Sequence, residues 1–188
     1  IKNFKKALEI CNLKKIYPKW IHMANSDGLL NLHSQLKFTN MARVGLASYG
    51  ISKNPKLLPV LKFSTQIVQI KKIQKGGRVG YSGTFTVKKD ITLGVLPLGY
   101  YDGVDRRLSN KGYVTVEGIV CPIVGCISMN ITTIDLSQIS NPYIGQEVII
   151  YSDNPADKSS IENAAKICKT ISYDILIGLA ASTKRGVL

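Results

Sequence analysis

The fold is decided by residues 17–50, which read YPKWIHMANSDGLLNLHSQLKFTNMARVGLASYG. The first part, YPKWIHMA, is predicted to be a buried strand, and LLNLHSQL has the apolar spacing of a helix. Asn25, Ser26 or Asp27 is the predicted N-cap, because their side chains accept hydrogen bonds from free backbone amides. MARVGLASYG then follows as a second apolar strand. The order strand, loop, helix, strand is typical of a parallel α/β sheet or barrel, in which the loops after strands carry the chemistry.

A helix is predicted ahead of this unit. In IKNFKKALEICNL, the residues Ile1, Phe4, Leu8 and Cys11 recur at helical spacing. The chain starts without methionine, inside this helix, and domains seldom start in mid-helix. We therefore expect the chain to be the later part of a longer protein.

From about Val60 the pattern becomes mostly β. KFSTQIVQIKKI and GTFTVKKDITLGVLPLG alternate or run apolar, with turn residues at 75–77, and SMNITTIDL and QEVIIYS are further predicted strands. YVTVEGIVCPIVG predicts a hairpin that turns at Glu117 and Gly118. A helix returns in SSIENAAKICKTI, where Ser159 or Ser160 is the expected N-cap.

The domain boundary is predicted in NPKLLPVLK, where Pro55 and Pro59 interrupt regular structure. Residues 1–59 are expected to form the last part of a (β/α) barrel, and residues 60–188 a β-rich domain.

The composition indicates a globular protein. Of the 188 residues, 45% are hydrophobic and 20% charged. No apolar run reaches the roughly 18 residues that span a bilayer, and no signal-peptide pattern is present. These features favour a cytoplasmic protein without a membrane partner.

A formal net charge of +13 raises the question of nucleic-acid binding. Only five of the 25 basic residues are arginines, the better bidentate ligands of phosphate, and the lysines are scattered singly or in pairs. We therefore expect a solvated, lysine-rich surface and no nucleic-acid partner. Four cysteines without a CxxC pair and two histidines argue against a metal site and indicate reduced thiols.

The segment PLGYYDGVDRRLS, residues 97–109, places two tyrosines in a turn between Gly99 and Gly103. Neighbouring side chains in an extended segment point to opposite sides, so Tyr100 and Tyr101 are expected to face different environments. Taken alone, the segment is explained most simply by two amphipathic aromatic residues that cap a sheet edge.

Six segments in one order change that interpretation: HMANS, ARVGLASYG, VGYSGTF, GYYDGVDRRLS, PIVGCISMN and TISYDIL. Together they resemble the later part of the alanine racemase family. The resemblance implies the end of a (β/α)8 TIM-like barrel followed by a C-terminal β-rich domain, with pyridoxal 5'-phosphate as cofactor. It also implies a homodimer that interconverts L-alanine and D-alanine and supplies D-alanine for peptidoglycan synthesis.

The resemblance assigns the cofactor contacts. It implies that Ser26, the backbone amides of Gly45 and Leu46, and the phenol of Tyr173 bind the cofactor phosphate. Arg43 matches the arginine that faces the pyridine nitrogen. Because a guanidinium stays protonated, this contact keeps the nitrogen unprotonated. His22 precedes Ser26 in the same motif and is a candidate for orienting Arg43, although an ordinary core histidine is an equal alternative.

Tyr100 matches the family's catalytic tyrosine, which transfers the Cα proton on the L-alanine face and, in the family dimer, reaches the cofactor of the other subunit. Tyr101 stands where a small residue is more usual and is expected to pack, while Asp102 and Gly103 shape the turn. Met129 matches the residue whose amide binds the substrate carboxylate, and Asn130 replaces the usual aspartate.

No segment resembles the family sequence around the lysine that holds the cofactor covalently, so the chain alone is expected to be inactive. Three alternatives stay open at the level of sequence. They are a broader-specificity amino-acid racemase of the same fold, a non-catalytic remnant or binding module, and a basic β-barrel that binds RNA. The last is the weakest, because the tyrosines lie in turns and do not alternate along one strand face.

Overall fold

The computed structural model describes residues 1–52, 54 and 56–187. The chain divides into two compact units, Ile1–Leu58 and Pro59–Leu188. One of the two prolines of the predicted boundary, Pro55, lies outside the described residues.

The first unit contains the two predicted helices. They are α1, Lys2–Leu13, and α2, Ser26–Leu32, and short 3-10 turns follow at His33–Gln35 and Leu46–Tyr49. Asn25 is the N-cap of α2, since its Oδ1 accepts a hydrogen bond from the Gly28 amide at 2.8 Å. No residue of α1 is buried, although the helix carries the apolar spacing seen in the sequence.

The two predicted strands of this unit are reduced to one parallel bridge between His22 and Met41. The Asn40 amide donates to the Ile21 carbonyl at 3.0 Å and the Arg43 amide to the Ala24 carbonyl at 2.9 Å. The parallel direction agrees with the predicted order of elements. An isolated pair of strands is at best marginally stable, and among the described residues of this unit these two segments pair only with each other.

The second unit is built from antiparallel sheets. The strands are β1 Phe63–Gln66, β2 Gln69–Ile73, β3 Arg78–Val79, β4 Phe85–Thr86, β5 Ile91–Leu96, β6 Tyr113–Val116, β7 Ile119–Pro122, β8 Thr132–Asp135 and β9 Glu147–Tyr151. The sheets have the orders β1-β9-β6-β7, β2-β5-β8 and β3-β4. Helices α3, Ile161–Cys168, and α4, Ser172–Ile177, follow the last strand.

Local sequence accounts for these elements. Strand β5 buries Ile91 and Leu93 against Val79, Val87 and Val124. The predicted hairpin is confirmed, because the two residues between β6 and β7, 117 and 118, form its turn with φ values of 50° and 77°.

The second unit also confirms the predicted helix cap. Helix α3 is capped by Ser160, whose Oγ accepts from the Asn163 amide at 3.2 Å. Cys121 and Cys168 are buried and Cys11 and Cys126 partly buried, and all four thiols are free. Among the described residues, no helix is long and apolar enough to cross a membrane.

Candidate active site

Ser26 forms a polar cluster with the turn that follows the second segment of the bridge. Its Oγ accepts hydrogen bonds from the Gly45 amide at 2.9 Å and from the Ala47 amide at 3.3 Å. Leu46 lies between these two residues on the same 3-10 turn. A hydroxyl that can donate and two backbone amides therefore meet at one point, which is a donor set suited to an anion. The Ala47 amide was missed in the sequence because any residue type supplies a backbone amide.

His22 and Arg43 lie on the two paired segments. Residues two apart on an extended strand face the same side, so pairing of His22 with Met41 places the side chains of His22 and Arg43 on one side. Nδ1 of His22 is buried without a hydrogen-bond partner in the described part of the chain, whereas Arg43 is exposed. A buried, unpaired ring nitrogen is costly, so this atom invites a polar partner.

In the second unit, the turn after β5 is fastened to the loop that carries Met129. The Tyr100 amide donates to the Ser128 carbonyl at 3.1 Å and the Tyr101 amide to the Met129 carbonyl at 3.0 Å. Only glycine fits at Gly99, because a Cβ there would lie 2.0 Å from the Ser128 carbonyl oxygen. The two predicted site residues Tyr100 and Met129 are thus held side by side.

Asp102 and Gly103 shape the turn as predicted. Oδ2 of Asp102 accepts from the Gly99 amide at 2.8 Å. Gly103 has φ of 111°, a conformation that L-residues rarely adopt. The direction of the Tyr100 side chain is therefore determined by contacts on both sides of it.

Tyr100 opens onto a cavity of about 350 Å³ on one side and one of about 330 Å³ on the other. Met129 lines the second cavity, and its amide has no acceptor among the described residues. Tyr81 and Arg106 line it too, and sequence reasoning missed both. The arginine pair in the turn was visible in the sequence, but its direction was not.

Tyr101 differs from the expectation that it packs. Tyr101 is 56% exposed, more than the 46% of Tyr100. The amides of both residues donate to the loop of Ser128 and Met129, and consecutive side chains of an extended segment point to opposite sides, so more than half of Tyr101 stays uncovered in the described part of this unit.

The second tyrosine that contacts this turn, Tyr151, has a structural role. It is 1% exposed, and its hydroxyl donates to the Gly103 carbonyl at 3.0 Å and accepts from the Asp105 amide at 3.3 Å. Burial raises its pKa well above the usual range of a phenol, so it stays protonated. Burial likewise raises the pKa of Cys121 and of Cys168 to about 11, which makes both thiols poor nucleophiles.

An arginine clamp joins the turn to helix α4, on which Tyr173 lies. Arg107 Nη2 donates to Oδ2 of Asp105 at 2.5 Å and to Oδ2 of Asp174 at 2.6 Å. Hydrogen bonds from Arg107 lower the pKa of both carboxyls, so both remain ionised at neutral pH. Sequence reasoning missed this clamp, because 67 residues separate Arg107 from Asp174.

The predicted residues fall into two groups. Ser26, Arg43, Gly45 and Leu46 belong to the first unit, and Tyr100, Met129 and Tyr173 belong to the second. The described residues contain no group of three or more His, Cys, Asp or Glu side chains that could hold a metal ion.

The first unit thus carries donors suited to an anion, and the second unit carries an exposed tyrosine beside a backbone amide, groups of the kind that enzymes use to bind anions and to move protons. Comparison with known proteins specifies the class further. The family model of the alanine racemase C-terminal domain matches residues 60–187, and that of the alanine racemase N-terminal domain matches residues 1–53. The chain belongs to the alanine racemase family.

Curated relatives extend over the whole chain. Alanine racemase of Borreliella burgdorferi is 33% identical over 195 residues, which cover 100% of this chain and 51% of the relative. Alanine racemase of Syntrophobacter fumaroxidans is 39% identical over 160 residues, covering 82% and 42%. This chain thus spans about half the length of the curated relatives that it matches.

Solved structures agree. Alanine racemase from Bartonella henselae, with covalently bound pyridoxal phosphate, has a TM-score of 0.82 at 31% identity over 98% of this chain and 52% of its own. The enzyme from Bacillus anthracis, with bound L-Ala-P, has a TM-score of 0.84 at 29% identity over 95% and 47%. The predicted fold class, the last part of a TIM barrel followed by a β-rich domain, is confirmed by such neighbours.

Proposed function

We propose that this chain forms the second half of a pyridoxal-phosphate-dependent alanine racemase that interconverts L-alanine and D-alanine and supplies D-alanine for peptidoglycan synthesis. The observation that carries the proposal is one cavity lined by both Tyr100 and Met129, a proton-transfer group beside an unused backbone amide. Relatives support the proposal because they are named alanine racemases and because this chain matches about half of the length of each.

The residues of the first unit fit the cofactor phosphate. Ser26 Oγ already accepts two backbone amides, and a phosphate oxygen placed there would take over these donors and gain the hydroxyl as a third. We assign the phosphate contacts to Ser26, Gly45, Leu46 and the phenol of Tyr173. When bound, the cofactor supplies an electron sink that lowers the cost of removing the substrate Cα proton.

Arg43 is assigned to the pyridine nitrogen of the cofactor. Its guanidinium is exposed and shares one side of the paired segments with His22. His22 then orients Arg43 through the ring nitrogen that has no partner in the described residues. A permanent cation facing that nitrogen keeps it unprotonated, which limits the electron sink and so the side reactions of the carbanion.

Tyr100 is assigned to proton transfer on the L-alanine face. A phenol acts as a base near neutral pH only when positive charge or hydrogen bonds stabilise its anion. Arg106 lines both of these cavities together with Tyr100, and we assign the stabilising charge to it. Tyr100 takes the proton from Cα of L-alanine, and a protonated group on the opposite face donates one to Cα to give D-alanine.

Met129 is assigned to the substrate carboxylate through its amide. Asn130 follows it, so the neighbouring side chain offers an amide group in place of the carboxylate usual in the family. We further propose a homodimer in which Tyr100, exposed in the second unit at 46%, reaches the site of the other subunit.

Hydrogen exchange at Cα tests the role of Tyr100 by face. The complete enzyme, in which the first half of an alanine racemase precedes this chain, is incubated in D₂O with L-alanine or D-alanine. Tyr100→Phe is expected to slow exchange of the L-alanine Cα hydrogen about a thousandfold, while exchange from D-alanine persists. Tyr101→Phe is the matched control and keeps both rates. Equal losses in the two variants would contradict the assignment, and unaltered exchange in Tyr100→Phe would favour a non-catalytic module.

A further inference from the structure

The arginine clamp, formed by Arg107 with Asp105 and Asp174, adds too little stability to account for its place between the Tyr100 turn and helix α4. The side chains of Arg107 and Asp174 are 48% and 41% exposed, and exposed ion pairs contribute at most about 1 kcal/mol. Arg107 nevertheless engages Asp105 with a fork, through Nε at 2.9 Å and Nη2 at 2.5 Å, and the same Nη2 reaches Asp174. Such a planar two-point contact fixes geometry more than it adds energy.

Both partners of Arg107 are themselves held. Asp105 Oδ1 accepts the Arg107 amide at 2.8 Å, which caps the short 3-10 turn Arg106–Leu108. Asp174 Oδ2 accepts the Thr170 hydroxyl at 2.9 Å. A shift of the Asp105 carboxylate therefore moves backbone, and a shift of the Asp174 carboxylate disturbs the Thr170 side chain.

Besides the clamp, the Tyr100 turn and the end of α4 are in direct contact. A Cβ on Gly103 would lie 2.8 Å from Cα of Leu179 and 3.0 Å from the Gly178 carbonyl oxygen. The Ala180 amide also donates to the Asp102 carbonyl at 3.4 Å. The turn is also held by the Tyr151 hydroxyl, which forms hydrogen bonds with the Gly103 carbonyl and the Asp105 amide. The turn of Tyr100 and the helix of Tyr173 thus pack as neighbours and are linked by one exposed cation.

We propose that Arg107 is a positioning residue that couples the Tyr173 helix to the Tyr100 turn of the same subunit, so that capture of the cofactor phosphate in one site of the proposed dimer sets the position of the tyrosine that transfers the proton in the other subunit's site. This coupling rests on the proposed function for its purpose, but the mechanical link itself does not. Arg107 touches neither substrate nor cofactor in this assignment. It acts through Asp105 on one side and Asp174 on the other.

Amide hydrogen exchange of the 188-residue chain tests the link, because the amides of Tyr100, Tyr101, Asp102 and Val104 are hydrogen-bonded and report opening of the turn. Asp174→Asn lies outside the turn and is expected to speed exchange of these amides about threefold. Asp153→Asn, an exposed aspartate of the same unit, is the matched control and leaves them unchanged. Unaltered exchange within strands β6 and β9 excludes general unfolding. Exchange in the turn of Asp174→Asn equal to wild type would overturn the proposal.

A second measurement separates coupling from simple support. Pyridoxine 5'-phosphate, which has no aldehyde to react with lysines, is expected to protect both 172–177 and 100–104 in the wild-type chain. In Arg107→Met it should protect only 172–177, and Arg107→Lys, which keeps the charge but not the fork, should restore part of the effect. Equal protection of both segments in Arg107→Met would overturn the coupling. If the probe does not bind at all, the proposed function fails while the exchange result for Asp174→Asn still decides the link.

Discussion

The two units of this chain differ in how many apolar side chains they bury and in how many strands they pair within themselves. Of the buried apolar side chains in the described residues, only Ala24, Leu36 and Ile51 belong to the first unit, and all others belong to the second. No residue of helix α1 is fully buried, and Leu13 and Trp20 are 83% and 59% exposed. Strands of the second unit find neighbours within it, whereas the paired segments of the first form one bridge.

The two halves of the candidate site therefore owe their geometry to different kinds of contact. In the second unit, sheets and close backbone contacts hold Tyr100 and Met129 together. In the first unit, a few hydrogen bonds around Ser26 hold the cradle, and little apolar burial supports them. Burial of apolar surface is the main favourable term in folding, so we expect the second unit to have a larger free energy of unfolding than the first.

The largest expected effect is therefore a difference in how the two units unfold when each is made as a separate polypeptide. Residues 59–188 are expected to unfold in urea with one cooperative transition, and residues 1–58 with none, since three buried apolar residues cannot offset the chain entropy of 58 residues. Circular dichroism of the two separate polypeptides measures this. A sharp transition in residues 1–58 would remove the proposed contrast.

A smaller effect comes from adding one methyl group to each unit. Gly99→Ala is expected to destabilise the second unit by about 3 kcal/mol, because the new Cβ would meet backbone oxygen at 2.0 Å. Gly28→Ala in α2 is the matched change in the first unit. Its Cβ would meet the Asn25 side-chain oxygen at 3.3 Å, so the cost should stay below about 1 kcal/mol.

Urea denaturation of the whole chain measures both variants. Equal costs at Gly99 and Gly28 would mean that close packing around the Tyr100 turn does not distinguish the two units.

The secondary structure of the second unit was predictable because alternation and turn residues act locally. The hairpin at Glu117 and the helix that starts after Ser160 follow from short segments alone. The strands of the first unit were overpredicted for the opposite reason. An apolar run such as YPKWIHMA is compatible with a strand, but a strand also needs paired neighbours, and the sequence does not say whether they are present in the same unit.

The candidate site divides in the same way. Tyr100 and Ser26 lie in motifs that the resemblance could identify, and their roles remain proposals. The clamp of Arg107 could not, because it depends on where α4 meets the turn. Tyr101 was expected to pack, and its exposure of 56% follows from the direction of the turn, which no local rule supplies.

The central claim is that this chain carries a cradle for the phosphate of pyridoxal phosphate, centred on Ser26. The most direct measurement is calorimetric titration of the chain with pyridoxine 5'-phosphate and, separately, with pyridoxine, which lacks the phosphate. We expect only the phosphorylated compound to bind. Ser26→Ala should weaken its binding about tenfold, while Ser34→Ala, at an exposed serine of the same unit, should not. Equal binding of the two compounds, or a Ser26→Ala chain that binds as wild type does, would contradict the claim.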